Sequence, residues 1–314
     1  MEKLHSVSFV SICMALLVLF GIAGRAVAAP PEGEIAAWGS NQWGQMNGLT
    51  GATCRQVVAA DTCILALTSA GGIEVCGTGV RGNVFRDTLP VGSDFVGLSC
   101  KRGHALAQRQ DGTLVGFGTN NFGQADAPAG VFKAYSAGSN HSLAVREDGS
   151  LAAWGYGDYG QCNVPAGDDF VAVDGGEYHS MALREDKSLI VWGWYHAERQ
   201  NVKDFAAGWG HCLVLYNDGT LEDIGAYLHG EATCPAGDDF VAIWAGGGTS
   251  AAMRADGSYE VWGMVDDGQN VFPQGVEWQT ISLGYQNGAG IVVPEPATFA
   301  LLALGGLALL RRRR

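Results

Sequence analysis

The sequence predicts an all-β fold: a seven-bladed β-propeller closed by strands from both termini, flanked by an N-terminal signal peptide and a C-terminal membrane-sorting helix. Three observations predict the propeller. An apolar-Gly beat recurs at Trp38-Gly39, Cys76-Gly77, Phe117-Gly118, Trp154-Gly155, Trp192-Gly193, Ile224-Gly225 and Trp262-Gly263, at spacings of 38, 41, 37, 38, 32 and 38 residues. A period this regular marks stacked supersecondary units. Between the beats lie short β-type runs and glycine turns, with no sustained helical period. Each end of the body holds a partial unit: WQTISL and AGIVV, before residue 294, lack a closing Trp-Gly strand, and residues 34–38 supply one with nothing ahead of it.

One unit is clearest at residues 134–167, AYSAGSNHSLAVREDGSLAAWGYGDYGQCNVPAG. A first strand ends at Ala137, and a Gly-Ser-Asn turn leads into a second strand from His141 to Val145. Asp148-Gly149 is a hairpin turn, because glycine takes a positive φ at little cost. The third strand runs into Trp154. An irregular loop follows from Gly155, and Pro165-Ala166-Gly167 turns toward the next unit. Asp111-Gly112, Asp218-Gly219 and Asp256-Gly257 repeat the hairpin turn. Asp186-Lys187 departs from it, so Lys187 is expected to carry a left-handed backbone. Each hairpin is too small to stand alone and must be covered by its neighbours. A radial arrangement of short sheets does this while protecting their edges.

The repeat AGSNHSLAVREDGSLAAWGYGDYGQ resembles the regulator-of-chromosome-condensation repeat family, and its short period looks more like that family's compact bacterial seven-bladed type. The resemblance covers nearly the whole body and implies a fold. Members of the family serve as exchange factors, inhibitors or scaffolds, so it leaves the function open.

The chain divides into residues 1–29, 30–293 and 294–314. The first segment reads as a secretory signal, with Lys3, the apolar run SFVSICMALLVLFGIAG and the small residues Ala26-Val27-Ala28. The last carries Pro294-Glu295-Pro296, an apolar segment from Ala297 to Leu310 and four arginines, Arg311 to Arg314. Arginines placed there hold that end on the cytoplasmic side of a membrane. The tail resembles the PEP-CTERM sorting signal of Gram-negative bacteria. That resemblance implies an exosortase-type partner acting at Pro294, Glu295 and Pro296, transient inner-membrane association, and delivery to the cell surface or medium.

The chain has 32 acidic and 19 basic residues, a net charge of −13. Setting aside Glu2, Lys3, Arg25, Glu295 and the four terminal arginines leaves 30 acidic and 13 basic residues in the body. Such a surface repels phosphate backbones and argues against nucleic acid as a partner. Seven cysteines remain beyond the signal. Cys54 and Cys63, nearest in sequence, are the one pair singled out for a bridge. Burial as a small hydrophobe is the commoner fate of a cysteine.

His104, His141, His179 and His211 open the second strand in four units, where Cys63, Thr249 and Asn287 stand in the others. A structural role at the turn is favoured over a metal site, since seven-fold geometry spreads these side chains apart. Asp168-Asp169 and Asp238-Asp239 share an AGDDF segment and read as a repeated turn. Nucleophile elbow, Walker loop, His-Glu-x-x-His and dinucleotide fingerprints are missing from the sequence. No catalytic, cofactor or metal residue is assigned, and no enzyme activity is expected. The recurring Trp-Gly tryptophans read as core packing between blades. Trp43, Phe122, Tyr156, Tyr159 and Trp194 lie in the loops after the beat, and these form the candidate binding face. The expected function is an exported, non-catalytic surface or extracellular-matrix protein that binds a protein or glycan through that face. The alternatives are a polysaccharide-acting enzyme and an inhibitor of a secreted enzyme.

Overall fold

The structure, a computed structural model, describes residues 34–42, 44, 47, 54–77, 84–225, 234–264, 278–285 and 287–292. The expected signal peptide of residues 1–29, the candidate Trp43 and the expected sorting segment of residues 294–314 lie outside them. The described residues form seven antiparallel sheets. Sheet one holds Cys54–Ala59, Cys63–Thr68 and Ile73–Gly77. Sheet two holds Phe95–Lys101, His104–Arg109 and Leu114–Gly118. Sheet three holds Phe132–Ala137, His141–Arg146 and Leu151–Gly155. Sheet four has Phe170–Gly175, His179–Arg184, Leu189–Gly193 and a short fourth strand, Ala197–Arg199. Sheet five holds Val202–Ala207, His211–Tyr216 and Leu221–Gly225, and sheet six holds Phe240–Gly246, Thr249–Arg254 and Tyr259–Gly263. Sheet seven joins Trp278–Leu283 and Asn287–Val292 with Glu34–Gly39, so that Trp38 stands opposite Gly288.

The second strands are buried almost throughout, as in His141–Arg146, where only Arg146 is partly exposed. Such strands must be covered on both faces, and seven hydrophobic clusters do this, one between each pair of neighbouring sheets. Phe95, Leu98, Leu65 and Phe117 fill the space between sheets one and two. Trp38, Ala251 and Ile281 fill that between sheets six and seven. Contacts run from each sheet to the next, and sheet seven packs on both sheet six and sheet one.

The expectation of a seven-bladed β-propeller closed by its termini, with a membrane-sorting helix at its end, is corrected here. Among the described residues the sheets are discrete, and no backbone ladder runs from one to the next, so they are not closed into a barrel. They meet through side chains on their faces, because the apolar residues of each second strand point to both sides. The result is a propeller-like repeat of separate sheets. Among the described residues no helix is long and apolar enough to cross a membrane. Among the described residues one short helix, Val84–Asp87, departs from the all-β expectation. It brings Phe85 to 5.9 Å from Phe117, edge to face, and its neighbour Thr88 accepts a 2.8 Å hydrogen bond from the Gly118 amide.

The repeat is also visible in finer geometry. Every first strand carries a register shift just after its start, as at Phe132/Ala134 and Phe170/Ala172. In four sheets the bulge begins with a phenylalanine under a guanidinium from the end of the second strand. Arg184, for example, lies 4.1 Å over Phe170 and Arg254 lies 4.2 Å over Phe240. Asp169 pairs with Arg184 and Asp239 with Arg254, which makes the AGDDF segment a turn anchored to its own sheet. Lys187 has φ 69°, the left-handed backbone that its place in the hairpin requires.

First strands are tied to one another by side chains. Ser282 Oγ accepts from the Ala59 amide at 2.9 Å, Ser99 Oγ from Ala137 at 2.9 Å, Ser136 Oγ from Gly175 at 3.3 Å and Asp174 Oδ2 from Ala207 at 2.8 Å. Lys101 reaches past sheet three to donate to the carbonyls of Gly175 at 2.7 Å and Ala207 at 2.5 Å. Cys63 is a buried free thiol, so the Cys54–Cys63 bridge does not form. The two residues begin adjacent antiparallel strands and therefore stand at opposite ends of the pair.

Candidate functional site

Each third strand ends on the Trp-Gly beat, and the glycine is obligatory for two reasons. Gly155 has φ 99°, and a Cβ there would lie 2.8 Å from the Asn140 carbonyl oxygen and 2.9 Å from the His141 Cα. The chain then leaves the sheet in a loop whose aromatic residues meet those of neighbouring loops. Phe122 and Tyr156 have ring centroids 5.0 Å apart, Tyr156 and Tyr159 6.1 Å, and Tyr159 and Trp194 5.8 Å in a stacked arrangement. Tyr178, from the turn between the first two strands of sheet four, joins at 4.6 Å from Tyr159 and 5.4 Å from Trp194. The structure thus gathers four of the five sequence candidates into one run and adds Tyr178. The run stays open to solvent: Phe122 is 50% exposed, Tyr159 44% and Trp194 58%.

Two buried glutamines hold this run in place. Gln124 Oε1 accepts from the Phe122 amide at 2.9 Å, and Gln161 Oε1 from the Tyr159 amide at 3.0 Å. Their own carbonyls are used as well. Gln124 O accepts from Ser142 Oγ and from the Trp154 indole, both at 2.9 Å. Gln161 O accepts from Ser180 Oγ and the Trp192 indole, again at 2.9 Å. The reading of the beat as packing alone is therefore incomplete: at Trp154 and Trp192 the indole N–H also pins the preceding loop. Sequence reasoning missed Gln124 and Gln161, although Phe122-Gly-Gln124 and Tyr159-Gly-Gln161 are a visible repeat.

The histidines complete the same joints. His104 Nε2 lies 2.9 Å from Ser142 Oγ, His141 Nε2 2.9 Å from Ser180 Oγ and His211 Nε2 2.8 Å from Ser250 Oγ. Ser142 and Ser180 each spend their single proton on a glutamine carbonyl, so each accepts from a histidine protonated at Nε2. Burial drives His104 down to about 4 and His141 and His211 to about 3, and pushes His179 well below its usual range. These rings are neutral joints between sheets. They bond to the next sheet's serine, where the sequence had suggested backbone groups at the local turn. His179 differs because the matching residue of sheet five is Cys212. Its Nε2 has no hydrogen-bond partner among the described residues, and its ring lies 4.9 Å from Tyr195.

Among the described residues no three His, Cys, Asp or Glu side chains stand close enough to share a metal ion. Burial pushes the Cys63 thiol to about 12 and the Cys162 thiol to about 11, which keeps both protonated. The aromatic run offers apolar ring faces and phenol hydroxyls. Its carboxylates stand at the edges: burial and the nearby Asp158 carboxylate raise the Tyr156 phenol above its usual range, and burial and Glu177 do the same to Tyr178.

Comparison with known proteins agrees with the repeat. Residues 132–161 match the model of the regulator of chromosome condensation (RCC1) repeat, and residues 292–314 match the PEP-CTERM protein-sorting motif. The chain has an RCC1-like repeat fold. Its structure is similar to that of Prp20p from Saccharomyces cerevisiae, with a TM-score of 0.70 at 14% identity over 92% of this chain and 97% of that one. Yeast RCC1 (Prp20) bound to Kap60 gives 0.66 at 16% identity, over 94% and 95%. Human WBSCR16 gives 0.65 at 14% identity, over 84% and 99%. At such identities the likeness concerns the fold. No curated protein sequence matches the chain. The PEP-CTERM motif implies a sorting partner of exosortase type.

Proposed function

We propose that this chain is an exported, non-catalytic repeat protein that holds a protein or glycan partner on its aromatic loop face. The observation that carries the reading is the continuous, solvent-open run from Phe122 through Tyr156 and Tyr159 to Trp194. Exposed aromatic rings supply large contact area at low conformational cost and are frequent anchors of interfaces. Buried glutamines fix their loops in advance, which reduces the ordering cost of binding. The sorting motif supports delivery to the cell surface, where such a face meets partners. The structure of Prp20p was described with its binding to Gsp1p and histones. That precedent supports protein contact by this fold and supplies no partner for an acidic, exported chain. The test is binding of the purified protein to a glycan array and to surface and medium proteins of its host. Combined Tyr159→Leu and Trp194→Leu replacement should lower the binding at least tenfold. Ligands retained at full affinity by that variant would sink the reading.

A further inference from the structure

The aromatic run borders an ion pair that shows what chemistry this side of the molecule accepts. The Arg102 guanidinium lies 5.8 Å over the Trp209 ring and 3.2 Å from Glu177 Oε1. Trp209 is itself stacked on Tyr285 at 4.4 Å. A cation is thus held between an indole face and a carboxylate, the arrangement that ring quadrupoles and charge-assisted hydrogen bonds favour. Glu177 and Tyr178 are adjacent, and Tyr178 opens directly onto Tyr159 and Trp194. The same two ingredients continue there. Asp158 is exposed beside Tyr156 and Tyr159, and among the described residues no lysine or arginine stacks on the rings of Tyr156, Tyr159, Tyr178 or Trp194. One half of the surface therefore carries its own guanidinium, and the other has aromatic faces and a carboxylate without one.

We propose that this second half receives an arginine side chain from a partner protein, seated against Tyr159 and Trp194 with Asp158 as its counter-charge. The proposal rests on the reading of this face as a binding surface and names its partner's chemistry. Charge on both scales favours it. The chain carries −13 overall, which draws a basic surface toward it, and arginine joins tryptophan and tyrosine as the residues that dominate interface energies. Lysine is a poorer fit, because a flat guanidinium stacks on a ring while bonding a carboxylate in its plane.

The probe is the peptide acetyl-Tyr-Arg-Tyr-amide, titrated into the full-length protein by calorimetry or NMR beside its citrulline analogue, which keeps the shape and removes the charge. The arginine peptide should bind at least tenfold more tightly than the citrulline peptide. Asp158→Asn should weaken it at least threefold and Trp194→Leu at least tenfold, with unchanged far-ultraviolet dichroism. Equal binding of both peptides, lost together in Trp194→Leu, would overturn the arginine proposal and leave the binding face intact. So would a neutral cello-oligosaccharide that binds through Trp194 where the arginine peptide does not. Indifference of every ligand to Trp194→Leu would overturn both.

Discussion

The Lys101 ammonium donates to the Gly175 carbonyl at 2.7 Å, from sheet two to sheet four, with sheet three lying between them in sequence. Its second acceptor, the Ala207 carbonyl at 2.5 Å, belongs to sheet five, and Asp174 stands 3.9 Å away. One side chain therefore spans the ends of three first strands. Lys101→Met should remove about 3 kcal/mol of stability, since it strands two carbonyls and a carboxylate in a mostly buried place. Urea unfolding measures the loss. In the double variant Lys101→Met/Asp174→Asn part of it should return, because the stranded charge is gone. Full additivity of the two replacements would show that Lys101 acts through its carbonyl bonds alone.

The histidine joints set a pH dependence with a definite sign. His104, His141 and His211 have folded values of about 4, 3 and 3, below the unfolded value of about 6.5. On acidification the unfolded chain takes up these protons first. Stability from these groups is complete above pH 6.5 and falls as pH drops toward 4, by up to about 1.4 kcal/mol per pH unit for each ring. Thermal unfolding between pH 7 and pH 4 should show a steep decline, and His141→Asn should make it shallower. Asparagine already stands at the matching position 287.

Asp204 works in the opposite direction. Burial raises it to about 7, with Asp174 adding to the rise. A carboxyl raised in the folded state favours folding at low pH, and that contribution is lost as pH rises from about 4 through 7. Asp204→Asn keeps an oxygen for the Phe205 amide, which donates to Asp204 Oδ1 at 2.9 Å. The variant should therefore be more stable than the parent at pH 8 and no more stable at pH 4. Equal effects at both pH values would exclude a titrating Asp204.

The Lys187 hairpin is a local test of backbone strain. Gly112, Gly149, Gly219 and Gly257 take φ 80°, 85°, 84° and 84° at the same turn, where Lys187 takes 69°. A non-glycine residue in this region costs about 1 kcal/mol. Lys187→Gly should recover most of that, read as a rise in the midpoint of denaturant unfolding. No rise would mean that the greater freedom of glycine in the unfolded chain cancels the relief.

Much of this could be read from the chain, and the exceptions share a cause. The Asp-Gly turns and the departure at Lys187 were legible because a positive φ leaves a mark on residue choice. Phe122, Tyr156, Tyr159 and Trp194 could be placed in corresponding loops by the period alone. The period counts units without saying how their edges meet, so it suggested a closed propeller where the sheets are discrete. The indole bonds of Trp154 and Trp192 end on backbone carbonyls, which any residue supplies, and nothing in the sequence points to them. Lys101 occurs once, outside the repeat, and its partners lie 74 and 106 residues away.

Gln161 links the joint between sheets to the candidate face. Its carbonyl takes the Ser180 and Trp192 bonds, and its side chain takes the Tyr159 amide at 3.0 Å. Gln161→Ala keeps the carbonyl and deletes only the side-chain acceptor, leaving that amide without its partner. The expected loss of stability is about 1–2 kcal/mol. The sharper readout is local: hydrogen exchange at the Tyr159 amide should quicken at least tenfold, while the Trp192 indole proton exchanges as before. Partner binding should fall with it, although Gln161 is buried and touches no ligand, because Tyr159 would no longer be held beside Trp194. Unchanged exchange at Tyr159 would mean that ring contacts with Tyr156, Tyr178 and Trp194 hold the loop by themselves.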